Sequence, residues 1–183
     1  MPEWGGCVKC LKPRLRFEAV VPLGTYREDL RNAILRMKQP MFDHLSVTLA
    51  ELFCQSRIDR LVEFEPDMVA AVPMHWSRRI RRGTNSAEII STVLGGKLGV
   101  PVANNLLVRC RNTKPQATLS PRKRFKNVKG AFRIGMGYDL SGVKVVLVDD
   151  ILTTGATCSE ATKVLKKAGA KAVTVAVLGK ADG

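Results

Sequence analysis

The chain has 183 residues, 45% of them hydrophobic, and sets 30 Lys and Arg against 16 Asp and Glu for a formal net charge of +14. That length holds one core with at most a small appendage, and no apolar run approaches the ~20 residues of a membrane span. Five cysteines, odd in number and unevenly spread, exclude a disulfide framework, while the positive balance attracts polyanions such as nucleic acid and polyphosphorylated metabolites.

The N-terminus Met1-Pro2-Glu3-Trp4 lacks a basic region followed by an apolar one, so no secretory signal is expected and a cytoplasmic location follows, in keeping with reduced thiols. Residues 1–20 are expected to form a separate arm. Within it Cys7 and Cys10 have zinc-knuckle spacing, but one pair supplies two of the four ligands a structural zinc takes. Cys54, Cys110, Cys158, His44 and His75 are isolated, so zinc requires a partner chain or a rearranged geometry. Two free thiols are the simpler reading.

Residues 21–65 are expected to be helical. From Asp29 to Gln39 the residues Leu30, Ala33, Ile34 and Met37 share a face, and Pro40 ends the segment. A second helix is expected from about Met41 to Val62, with Leu45, Leu49, Leu52 and Phe53 in near-register. The two helices either cap a site or cover one face of a sheet. Residues 66–183 carry the core. Asp67 to Val72 predicts a strand ended by Pro73, followed by a basic turn from Met74 to Gly83 with four arginines in five residues. Such a run is usually a solvated turn. Beyond a strand's carboxyl end it also suits a diphosphate, because arginine binds phosphate bidentately and keeps its charge. Met74, His75, Arg78 and Arg79 are the candidates. Thr84 is expected to cap a helix running to about Leu98.

Val100–Val102 and Leu106–Val108 predict short strands. From Arg109 to Arg133 there are nine basic residues and no acidic one. An insert of this kind is disordered, binds nucleic acid, or is a flap that excludes water over a charged ligand. Its candidate residues are Arg109, Arg111, Lys114, Gln116 and Arg124. Phe132–Ile134 predicts a return strand.

The organising stretch is Val145-Val146-Leu147-Val148-Asp149-Asp150-Ile151-Leu152-Thr153-Thr154-Gly155-Ala156-Thr157. Four aliphatic residues predict a buried parallel strand, and the acidic pair falls where the strand should run out. A helix from Cys158 to Ala168 follows, then a buried strand from Ala172 to Leu178. Amides of the turn and of the first helical residues lack intrahelical partners and can face an anion. Thr153, Thr154 and Thr157 add hydroxyls, Gly155 lets the chain approach a phosphate closely, and Ala156 completes the candidate set. The carboxylates of Asp149 and Asp150 suit ribose hydroxyls beside the phosphate, or magnesium bound to them. A receiver-type acidic pair and a plain solvated turn are the competing readings. There is no Walker loop, and Gly135-Met136-Gly137 is no dinucleotide fingerprint.

As a unit, Val145 to Thr157 resembles the phosphoribosyl diphosphate (PRPP) signature of type I phosphoribosyltransferases. From about Tyr26 to Leu178 the chain is similar to the ComF/GntX group, phosphoribosyltransferase-like proteins associated in bacteria with competence for DNA uptake. The resemblance rests on Leu35-Arg36-Met37-Lys38, Ala71-Val72-Pro73-Met74, Arg82-Gly83-Thr84-Asn85, Lys114-Pro115-Gln116, Arg124 with Asn127, Gly130-Ala131-Phe132 and the Asp149-Asp150 stretch. Thr84 and Ser86 stand where that group commonly has Phe and Gln, and one Cys pair stands where it commonly has two. The resemblance implies an α/β fold of the type I phosphoribosyltransferase kind, with a mostly parallel sheet of about five strands and helices on both faces. It implies a 5-phosphate on Thr153 to Thr157, ribose on Asp149 and Asp150 with one assisting proton transfer, and diphosphate with Mg2+ at Met74 to Arg79. The implied partners are PRPP or a ribose 5-phosphate nucleotide, single-stranded DNA or a competence helicase, and a second copy in a homodimer. The implied reaction transfers phosphoribosyl to a nitrogen acceptor. The alternative is a non-catalytic PRPP or nucleotide sensor, or a DNA-binding accessory.

Overall fold

The computed structural model describes residues 15–39 and 41–181, with the backbone alone at Arg78, Arg81, Arg82 and Ala117. The expected arm with Cys7 and Cys10 lies outside the described residues. Four strands form a wholly parallel sheet: β1 (Ala19–Thr25), β2 (Met68–Ala71), β5 (Lys144–Leu152) and β6 (Ala172–Lys180), in the order β1-β6-β5-β2. A short antiparallel hairpin of β3 (Leu107–Arg109) and β4 (Phe132–Ile134) stands apart from it. The helices are α1 (Glu28–Arg36), α2 (Asp43–Val62), α3 (Trp76–Arg82), α4 (Ser86–Leu98), α5 (Pro121–Val128) and α6 (Ala156–Lys167). A single 3-10 turn spans Gln116–Thr118.

The central strand β5 is apolar on both faces because both are covered. Val145 and Leu147 pack with Cys158, Ala161 and Leu165 of α6 and with Leu107 and Phe132 of the hairpin. Val146 and Val148 point the other way, onto Ile34 of α1, Phe53 and Leu61 of α2, and Ile90 and Leu94 of α4. Of the two places open to α1 and α2, they take the sheet face. The expected boundary at residue 20 runs through β1, which pairs along β6 from Ala19 to Thr25. This strand is missed because Pro22 and Gly24 interrupt its apolar pattern; on a sheet edge both are tolerated.

The expected strand at Val100–Val102 reduces to one bridge, Val69 with Val102. Pro101 has no amide to donate, although its carbonyl accepts from Val69 N at 3.0 Å. This bridge stands where a fifth strand would lie. The expected turn from Met74 to Gly83 is instead largely helix, with Gly83 ending α3 at φ 80°. Thr84 does not cap α4: the Asn85 side chain accepts from Ala87 N at 3.3 Å, while the Thr84 hydroxyl donates to Asp43 Oδ1 at 2.7 Å. The insert is structured, and its α5 packs against α6 with Val128 buried.

Candidate functional site

Parallel pairing sets the carboxyl ends of the strands along one edge, the place where open α/β sheets bind ligands. Ala71 lies opposite Val148, so the residues after β2 run beside those that end β5. Strand β5 does not stop at Val148 as the sequence suggests. It continues to Leu152 because β6 is long enough to supply partners, Asp149 opposite Val177 and Leu152 opposite Lys180. The acidic pair therefore sits inside a strand, and neighbouring side chains in a strand face opposite sides.

Asp149 turns toward α6. Its Oδ1 accepts from Asp150 N at 2.9 Å, and the Cys158 thiol donates to its Oδ2 at 3.7 Å. Burial, and then the charge of Asp150, push its carboxyl up to about 7. Burial and Asp149 together push the Cys158 thiol well above its ordinary value, so it stays a neutral donor. Asp150 turns to the other face and pairs with Lys38 Nζ at 2.5 Å. Lys38 follows α1 and is far away in sequence. The resemblance singles it out as a helix-ending lysine, but its partner is not visible without the fold.

The turn after β5 delivers what the sequence suggests at one end and adds a constraint at the other. Thr153 is exposed, and Thr154 and Thr157 are half-buried. Gly155 is the left-handed residue (φ 73°) before α6. A Cβ there would lie 3.0 Å from Leu15 Cδ2 and 3.4 Å from Phe17, so its absence makes room for the N-terminal segment. The first amides of α6 rise from this turn with no intrahelical acceptor. Together with Asp149 and Gln116, the turn and the start of α6 bound a hollow of about 20 Å³, room for about one water.

On the β2 side, His75 is buried and caps α3, its Nδ1 accepting from Ser77 N at 3.3 Å. Met74 is half-buried. Arg78 stands on α3. Arg79, with 54% of its side chain exposed, is held by Glu88 at 2.6 Å. Asn85, which the sequence reading passes over as a ligand-loop residue, donates to Val72 O at 3.2 Å and to Glu88 Oε1 at 3.2 Å, tying this loop to α4.

The five insert residues do not converge. Arg109 stacks over Phe132, 5.3 Å from guanidinium to ring centre, and bonds Thr113 at 2.5 Å. Arg111 donates to Asn127 O at 2.8 Å, and Arg124 Nε to Leu119 O at 3.0 Å. The Lys114 side chain is exposed. Of the five, Gln116 reaches the start of α6, its Nε2 meeting Thr157 Oγ1 at 3.1 Å.

A resident magnesium on the acidic pair does not fit this geometry. Asp150 already has a cation at 2.5 Å, and Asp149 is held by Asp150 N and the Cys158 thiol. Among the described residues no group of three His, Cys, Asp or Glu side chains stands ready for a metal, and no helix is long and apolar enough to cross a membrane.

Comparison with known proteins finds a family and several relatives. The Phosphoribosyl transferase domain family matches residues 56–181. Competence protein F of Haemophilus influenzae is 33% identical over 179 residues, covering 96% of this chain and 78% of that one. The DNA utilization protein YhgH of Salmonella typhimurium is 32% identical over 173 residues, covering 92% and 75%. Among solved structures, a purine phosphoribosyltransferase from Pyrococcus horikoshii aligns with a TM-score of 0.48 at 22% identity, covering 72% of this chain and 73% of that one. The chain belongs to the phosphoribosyltransferase-domain family, in the ComF group that includes these two relatives.

Proposed function

We propose that the protein binds PRPP, or a nucleotide carrying ribose 5-phosphate, at the carboxyl edge of β5, and transfers the phosphoribosyl group to a nitrogen acceptor. The observation that carries this is the Thr153–Thr157 segment: a strand end, exposed and half-buried hydroxyls and a helix start without a side-chain cap, within one turn of two carboxylates. The 5-phosphate sits on the turn, with the ribose hydroxyls toward Asp149 and Asp150. In the reaction the acceptor nitrogen bonds to C1 as the bond from C1 to the diphosphate oxygen breaks, and the electron pair leaves with diphosphate. Positive charge develops on the sugar ring, as in glycoside cleavage, and the Asp150 carboxylate favours it. Asp149, titrating near neutrality, takes the proton the acceptor loses. Magnesium enters on the diphosphate of PRPP, as part of the ligand.

Calorimetry with PRPP, followed by diphosphate release across a panel of bases, tests this. Binding in the micromolar range with release for at least one base is the expected result. Absence of binding removes the proposal.

A second reading draws support from the insert. Arg111, Lys114, Arg122, Lys123 and Lys126 are exposed. Relatives of this chain carry the names competence protein and DNA utilization protein. In this reading the fold senses PRPP without turnover, and the basic surface engages single-stranded DNA or a helicase in DNA uptake. DNA affinity would then fall steeply with salt while PRPP binding changes little.

A further inference from the structure

Asn127, on α5, ties its side chain to two other residues of the insert. Its Oδ1 accepts from Lys114 N at 3.1 Å and its Nδ2 donates to Lys114 O at 2.9 Å, so one carboxamide holds both sides of the same backbone residue. The same Nδ2 lies 3.4 Å from Gln116 Oε1. A carboxamide held at its oxygen presents its Nε2 outward, and that nitrogen meets Thr157 Oγ1 at 3.1 Å. Beneath Asn127, α5 is anchored to α6 by buried Val128 and by Gly130 N donating to Glu160 Oε1 at 2.8 Å. The contacts form a closed circuit: α6 holds α5, α5 aims Gln116, and Gln116 returns to the first turn of α6.

We propose that Gln116 is a ligand of the 5-phosphate, delivered by the insert, and that Asn127 is the positioning residue that aims it. The proposal rests on the ribose 5-phosphate reading above and makes it more specific. The hollow under Gln116 has room for about one water, so a phosphate must separate Gln116 Nε2 from Thr157. The donor released is neutral, already oriented, and next to the amides of α6. It gives the phosphate a bond that diphosphate, bound on the β2 side, does not share. The insert thus closes over the 5-phosphate end of the ligand, and its exposed cations are left for other uses.

Calorimetry on the full chain with two probes, ribose 5-phosphate and inorganic diphosphate, tests this. Gln116→Ala and Asn127→Ala should each weaken ribose 5-phosphate about tenfold, the size of one hydrogen bond to a charged group, while diphosphate stays within about twofold. The double variant should be no weaker than the weaker single one, since both remove the same contact. Gln116→Glu, which keeps the shape and adds repulsion, should weaken ribose 5-phosphate more than alanine does. Equal loss for both probes, no loss for either, or tighter ribose 5-phosphate binding in Gln116→Ala overturns the proposal. If the unaltered protein ignores ribose 5-phosphate, the parent reading fails first, so the two failures are told apart.

Discussion

Asp149 and Asp150 are adjacent in the chain, yet the fold puts them in different environments. The first faces α6, where its partners are a neutral thiol at 3.7 Å and the amide of Asp150 at 2.9 Å. The second faces α1 and α2 and has an ammonium at 2.5 Å. Burial and then the charge of Asp150 lift the proton affinity of Asp149, and Lys38 offsets part of that rise. One strand end therefore presents a carboxyl raised toward neutrality next to one held by a lysine, without any special sequence beyond two aspartates in a β-strand. A carboxyl that titrates near neutrality is what acid–base work at neutral pH needs.

Removing the cation breaks the comparison most severely. Lys38→Met should destabilise the protein by about 2–3 kcal/mol, because Asp150 keeps a part-buried charge with its partner gone. The double variant Lys38→Met with Asp150→Asn should recover most of that loss in denaturant unfolding. If the single variant costs under about 0.5 kcal/mol, the pair is a loose surface contact and the two environments are alike.

Asp149→Asn sharpens the comparison through its pH dependence. The folded Asp149 titrates near 7, well above an ordinary aspartate, so between about pH 4 and 7 the native state binds a proton that the unfolded chain has released. Native stability therefore falls as pH rises through this window. Asparagine mimics the protonated acid and escapes the penalty. The variant should be more stable than the parent at pH 8, by on the order of 1–3 kcal/mol, with the gap closing toward pH 4. Asp150→Asn removes the second cause of the rise and should make the parent's fall in stability over this window shallower. Parallel stability curves for parent and Asp149→Asn would show that the thiol side does not raise the acid.

Much of this edge is legible in the sequence, and the reason is locality. The apolar run, the acidic pair, the threonines and Gly155 are contiguous, so strand, turn and helix follow from periodicity and turn chemistry alone. The hairpin strand Phe132–Ile134 and the final strand are legible for the same reason. What escapes is contact between distant residues. Lys38 meets Asp150, Gln116 meets Thr157 and Leu15 fills the space over Gly155, and no local pattern encodes any of the three. Strand length escapes as well. How far β5 runs depends on how far β6 accompanies it, and that decided which way each aspartate points. The helix α3 was hidden by charge: a run of arginines reads as a solvated turn, although arginine is a good helix former.

The smallest expected effect on stability bears on the least settled part of the edge, the β2 side. Arg79 is exposed and its contact with Glu88 is a surface ion pair, so Glu88→Gln should change stability by less than about 0.5 kcal/mol. Its value lies in what it frees. As long as Glu88 holds the guanidinium, a diphosphate must compete with a carboxylate 2.6 Å away. With the carboxylate neutralised, that competition weakens, and inorganic diphosphate should bind a few-fold more tightly if Arg79 reaches it, measured by calorimetry at low salt. Arg79→Ala in the same background should abolish the gain. Unchanged diphosphate affinity in Glu88→Gln would confine Arg79 to fastening α3 onto α4, and the anion contacts on this side would then fall to the backbone of the Met74–His75 loop.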